Sequence, residues 1–220
     1  MCGRFTLIAE LEDLKKEYGI DQVRIDQWQN NYNVAPTQNI PAVITGVGKD
    51  RRLGYLRWGL IPPWAEDEKV GFKMINARSE TVEEKKSFRK PFKQQRCIVP
   101  ADSFYEWKKD ELGEKQPYRI QVRGKELFGF AGLWEKWENE KGEPVFTCTI
   151  LTTEANREMS GIHHRMPVIL RQEEYGAWLD SEEKARNLCR PLPDGTLAMY
   201  PVSKRVNTPG NNDAALLEEA

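Results

Sequence analysis

The chain has 220 residues, 39% hydrophobic and 30% charged, with a formal net charge of -1 at pH 7. That length permits one sizeable core, and the near-zero charge provides no overall attraction to nucleic acid. No apolar run approaches the ~20 residues needed to cross a membrane, and no charged-then-apolar leader precedes Gly3, so a soluble cytoplasmic chain is expected.

Cys2 follows the initiator Met1 directly, and its small side chain permits removal of that Met. The exposed terminus would carry an α-amine and a thiol on adjacent carbons. Such a pair condenses with an aldehyde, first as an imine and then, by thiol addition, as a five-membered thiazolidine. Free amine and thiol titrate at about 8 and about 8.5, so both are partly reactive near neutrality. The other cysteines, Cys97, Cys148 and Cys189, are scattered, with no C-x-x-C pair and only two His. A zinc site or a disulfide framework is therefore not expected, and Cys97 and Cys148 fall in apolar runs as core thiols.

Residues 9–18 predict an amphipathic helix, with Leu11 and Leu14 on one face and Gly19 as its stop. Asn31-Tyr32-Asn33-Val34-Ala35-Pro36 has the punctuation of a loop. Residues 40–47 and 53–58 predict two strands joined through Gly46, Gly48 and Lys49. The run from Gly59 to Trp64 contains Pro62 and Pro63, which forbid a helix or a central strand and present Trp64 at a stiff tip. A loop opens at Asn76, then a basic helix extends to about Lys93, interrupted by Pro91. Residues 97–99 and 102–107 predict short strands separated by Pro100. Three more are expected at 118–122, 127–134 and 145–152, with a hairpin turn at 123–126 and a longer turn at 139–142. A strand at 166–170, helices at 173–179 and 182–188, and a strand at 198–202 follow. The polar tail from Asn207 is expected to wrap or fray. Strands outnumber helices without regular alternation, which favours an α+β fold: one domain on a curved, mainly antiparallel, barrel-like sheet with flanking short helices.

Several polar residues are candidates to serve Cys2. Asn76 both donates and accepts hydrogen bonds and can orient an amine, or it is a turn or cap residue. Glu106 lies in Phe104-Tyr105-Glu106-Trp107. Buried among these aromatics it would hold its proton to higher pH, as a general acid or base does; facing solvent it would not. His163 and His164 are the only imidazoles. Arg4, Arg78 and Arg165 each neighbour a candidate in the sequence, and convergent Arg side chains bind phosphate. Trp64 stacks on a base if exposed. Lys85, Lys86, Arg89, Lys90, Lys93 and Arg96 form a basic cluster, which marks either a nucleic-acid surface or a solvated helix face.

Six motifs, in this order, carry a resemblance: Met1-Cys2-Gly3-Arg4-Phe5, Asn33-Val34-Ala35-Pro36, Arg57-Trp58-Gly59-Leu60-Ile61-Pro62, Asn76-Ala77-Arg78-Ser79-Glu80-Thr81, Phe104-Tyr105-Glu106-Trp107 and Ile162-His163-His164-Arg165-Met166-Pro167. The set, spanning Cys2 to about Asn207, resembles the SOS response-associated peptidase (SRAP) family. The resemblance implies a protein that binds single-stranded DNA at abasic sites and joins the N-terminal Cys to the ring-opened sugar as a thiazolidine. It also implies loss of Met1, by autoproteolysis or aminopeptidase, and a possible abasic-site lyase reaction. The family's catalytic set falls on Cys2, Asn76, Glu106 and His163, and its DNA contacts on Arg4, Trp64, Arg78, Lys86 and Arg165. No cofactor or metal is expected; a monomer, nucleoid-associated when bound to DNA, is. Ala65 stands where some relatives have a second aromatic, and His164 where some have Asp. Two rivals differ in class: an N-terminal-nucleophile Cys amidohydrolase of the glutamine amidotransferase type, and a non-covalent reader of modified bases.

Overall fold

The computed structural model describes residues 2–220; Met1, whose loss the sequence predicts, lies outside them. The described strands are β1 (Phe5–Leu7), β2 (Gln22–Val23), β3 (Asn31–Val34), β4 (Asn39–Thr45), β5 (Arg51–Trp58), β6 (Asn76–Arg78), β7 (Arg96–Ala101), β8 (Ser103–Lys109), β9 (Lys115–Val122), β10 (Phe128–Glu138), β11 (Pro144–Glu154), β12 (Arg165–Pro167), β13 (Ile169–Leu170) and β14 (Leu197–Pro201). The helices are α1 (Leu11–Tyr18), α2 (Lys86–Gln94), α3 (Arg157–Ser160), α4 (Tyr175–Asp180) and α5 (Glu182–Leu188).

Two sheets organise them. One runs β14-β9-β8-β1-β3. The other contains the path β11-β10-β7-β4-β5, and β5 returns to pair with β11 in parallel, Arg57 against Thr147 and Trp58 against Cys148. That return closes the path into the expected barrel-like core, with β6 and β12 as further neighbours of β11. Most pairings are antiparallel, and the short helices flank the sheets.

Phe5 joins the two sheets. Its ring meets Trp58 at 5.3 Å and Phe130 at 5.6 Å, both edge-on, and all three are fully buried. Edge-to-face aromatic pairs contribute about 0.5–1.5 kcal/mol each beyond their burial. The second residue of the chain is thereby held three positions from the centre of the core.

The helix α1 ends as predicted: Gly19 takes the left-handed conformation (φ 60) and its N–H caps Lys15 O. Gly59 is held more strictly. Its φ is 128, and a Cβ there would lie 2.6 Å from Gly71 O. Gly59→Ala should therefore lower stability by at least the ~1–3 kcal/mol of backbone strain. A urea unfolding midpoint equivalent to less than about 0.5 kcal/mol of change would contradict this close approach.

Several local expectations are corrected. The stretch 31–34 is a strand, because β1 offers it a partner. Asn76 opens a strand, recruited in parallel by β11. Helix α2 continues through Pro91, which is buried with Phe92; packing offsets the lost N–H at that turn. Likewise Pro100 sits inside β7 rather than ending it. The turn after Val122 makes no hairpin, since β9 and β10 belong to different sheets. Residues 166–170 divide at Val168, β12 pairing with β11 and β13 with β10. Of the two alternatives for the tail, wrapping is the one adopted. Val206 and Leu216 are fully buried with Tyr105 and Val202 in a small second core.

Candidate active site around Cys2

The β1–β8 ladder brings the start of the chain to the carboxylate. Phe5 is opposite Phe104, Thr6 is opposite Ser103, and the Tyr105 N–H donates to Arg4 O at 2.9 Å. Side chains alternate along β8. Phe104 enters the main core and Tyr105 the second one, so Glu106 returns to the Phe104 face, where Cys2 lies. Glu106 is 5% exposed and Cys2 is 0% exposed. The buried alternative for Glu106 is the one the fold adopts.

Burial sets the protonation of this pair. It pushes the Cys2 thiol up to about 12, with the nearby Glu106 charge adding to the rise and a hydrogen bond from the Arg4 backbone opposing it. With Met1 attached, burial holds the thiol in its protonated form, since a thiolate here would lose its hydration beside a carboxylate. Burial also raises Glu106 above the ordinary carboxylate range, with His164 among the groups that oppose it.

Asn156 caps α3 by accepting from the Met159 N–H, and the His163 N–H then donates to Met159 O at 2.9 Å. This turn stacks His163 on His164, centroids 4.3 Å apart. Burial lowers the pKa of His163, favouring the neutral ring. Its Nδ1 lies 3.0 Å from the Arg165 N–H and 3.3 Å from the Arg165 carbonyl oxygen, so the ring is held at the Arg165 backbone in either tautomer.

Strand β6 lays Asn76 beside Ile150 and Arg78 beside Thr152. Asn76 Nδ2 donates to Ile150 O at 3.4 Å. Its Oδ1 is buried and has no hydrogen-bond partner among the described residues, an acceptor kept open for a donor. Arg165 leans across β11 onto the same strand end. It grips Glu80 with both Nη atoms, at 2.7 and 2.8 Å, and donates to Thr152 O. This bond to Arg165 holds Glu80 below the usual carboxylate range. Arg78 is exposed and makes no ion pair among the described residues.

Arg4 is turned inward. Its Nη1 donates to Asn33 Oδ1 at 2.8 Å and to Val206 O at 2.6 Å, and its guanidinium lies 5.9 Å from the Trp107 ring centroid. Trp64 is 50% exposed, and Lys86 Nζ stands 4.7 Å over its ring. The fold thus gathers Cys2, Glu106 and His164 within electrostatic reach, with His163 stacked on His164, places Asn76, Arg78 and Arg165 on the two strands that flank β11, and pairs Trp64 with Lys86. Sequence reasoning missed Glu80 as the partner of Arg165 and Asn33 as that of Arg4. Both stand inside the quoted motifs, which was the only signal available for them.

Residues 1–209 match the family model described as SOS response associated peptidase (SRAP). The chain is 50% identical over 223 residues to abasic site processing protein YoqW of Bacillus subtilis (strain 168), covering 99% of each. It is 36% identical over 225 residues to abasic site processing protein HMCES of Gallus gallus, covering 86% of this chain and 66% of that protein. A crystal structure of a Bacteroides thetaiotaomicron protein matches the fold with a TM-score of 0.89 at 28% identity, over 100% of both chains. With a family model spanning all but the last residues and a relative half-identical throughout, this chain belongs to the SOS response associated peptidase family.

Proposed function

We propose that this protein processes abasic sites in single-stranded DNA by covalent capture through Cys2 after Met1 has been removed. The observation that supports this best is the seating of Cys2 against the buried Glu106, in a chain half-identical to a protein named for abasic site processing. Cys2 has no exposed surface, so admission of a sugar requires the start of the chain to rearrange.

The chemistry balances without a cofactor. Ring opening exposes C1′ as an aldehyde, with Glu106 moving the hydroxyl proton. The Cys2 α-amine, oriented by Asn76 Oδ1, adds to that carbon, and loss of water leaves an imine. The sulfur then forms a bond to the imine carbon; the C=N π pair moves to nitrogen, which takes the thiol proton. Aldehyde plus aminothiol gives thiazolidine plus water. A carboxyl group held above its usual range exchanges protons readily near neutrality, which suits Glu106 to both transfers. His163, its ring held at the Arg165 backbone, contacts the 3′ phosphate or assists proton transfer. Arg78 is the readiest phosphate ligand; Arg4, Lys86 and Arg165 assist, and Trp64 stacks on a base once Lys86 yields its face. If the imine loses a proton from the adjacent carbon, the 3′ phosphate leaves and the outcome is strand cleavage.

The test is a heated denaturing gel of the Met1-free protein with single-stranded DNA bearing one abasic aldehyde or a tetrahydrofuran analogue. A retarded band is expected with the aldehyde alone, at the summed mass less one water. Absence of that band, with intact mass showing Met1 gone, overturns the proposal.

A further inference from the structure

The second core sits on one flank of Cys2 and Glu106, and the segment that builds it comes from the other end of the chain. Asn33, 1% exposed, is the joint. Its Oδ1 accepts from Arg4. Its Nδ2 faces three carbonyl oxygens, Val206 at 3.3 Å, Thr208 at 3.1 Å and Asn211 at 2.8 Å. Arg4 Nη1 bonds Val206 O as well. The next member of the ring is Trp107, which lies against Arg4 and donates from Nε1 to Asn207 Oδ1 at 2.8 Å. Residues 206–211 therefore touch the neighbours of both reacting groups: Arg4, two residues after Cys2, and Trp107, next to Glu106. Outside this ring, Asn211 Nδ2 donates to Arg205 O, and Arg205 pairs with Asp213 at 2.7 Å.

A carboxamide placed only for stability has no need to bond a functional arginine and three carbonyls of a distant segment at once. One hydrogen-bonded network of this kind fixes relative positions, because displacing any member leaves a buried polar group unpaired. We infer that Asn33 is a positioning residue for the reaction: through Arg4 it clasps the C-terminal segment 206–211 to the start of the chain and so fixes Cys2 against Glu106. The inference rests on the crosslinking function proposed above. It also gives Arg4 a holding role that operates before DNA arrives.

The test compares wild type, Asn33→Ala and Asn207→Ala, all free of Met1. The last removes the exposed partner of Trp107 and spares the core, so it reports even if Asn33→Ala folds poorly. Three quantities are measured: the single-turnover crosslinking rate at saturating abasic DNA, the affinity for DNA carrying the unreactive tetrahydrofuran analogue, and hydrogen exchange of the amides of residues 206–211. Misplacement of reacting groups by about 1 Å costs up to ~10²-fold in rate. Asn33→Ala is therefore expected to lose at least about tenfold in rate, Asn207→Ala a smaller factor, with analogue affinity within about threefold and faster exchange in 206–211. If exchange rises while the saturating rate holds, or if rate and affinity fall together, the clasp is merely structural and the inference fails. If wild type itself forms no adduct, the function proposed above fails instead, and the exchange data still report whether Asn33 holds the segment.

Discussion

Cys2→Ala is expected to abolish the heat-resistant DNA adduct completely while leaving a measurable fraction of strand cleavage. The two outcomes separate because the two reactive groups of Cys2 do different work. The α-amine survives the substitution and still forms an imine with the sugar aldehyde. Without the thiol that imine is not captured, and it either hydrolyses or eliminates the 3′ phosphate. The variant should remain folded. It truncates one small side chain within a large core cluster, at a cost near the ~1 kcal/mol typical of point substitutions. Gels of the Met1-free variant, run after heating and without heating but with borohydride to trap the imine, check both halves. A heat-stable band formed without borohydride would remove the thiazolidine from the mechanism.

Glu106→Gln should slow crosslinking by about 10²–10⁴-fold, the usual contribution of a positioned acid–base group. It should also stabilise the fold at neutral pH. The sign follows from the direction of the shift. Burial raises the Glu106 pKa in the folded state, so the folded chain holds this proton to higher pH than the unfolded chain does. Its contribution to stability is fully present below the ordinary carboxylate range and is lost as pH rises through the folded pKa. Gln keeps the shape and carries no charge to bury, so the variant escapes that loss. Urea midpoints should therefore nearly coincide at about pH 4 and separate above it, with the variant the more stable. Loss of crosslinking without this divergence would mean that Glu106 is not buried as an ionisable group in the working protein. A rate within a few-fold of wild type would dismiss it as the proton carrier.

Local chemistry made many of the elements legible. Gly19 stops α1 because only a residue tolerant of left-handed backbone fits there, and alternation exposed most long strands. Misassigned stretches share a cause. Residues 31–34 and 76–78 are too short and too polar to signal a strand, and they become strands because β1 and β11 supply hydrogen-bond partners from elsewhere in the chain. The polar tail carried one visible anchor in Leu216, whose partner Tyr105 lies more than a hundred residues earlier.

The sequence by itself determined the chemical inventory: an amine and thiol two residues into the chain, one carboxylate among aromatics, two adjacent imidazoles and a set of arginines in six ordered motifs. Residue identity fixes what bonds can be made, so that much needs no coordinates. Tertiary structure decided which of those groups are poised. Closure of β5 onto β11 and the pairing of β1 with β8 bury Cys2 and Glu106 together. Protonation depends on hydration and neighbouring charge rather than on residue type, so only the folded chain buries this thiol and carboxyl group and raises the pKa of both. The same holds for Arg4 and Arg165. Their guanidinium groups are uncommitted on paper, and contacts with Asn33 and Glu80, distant in sequence, hold each in one place before any phosphate arrives.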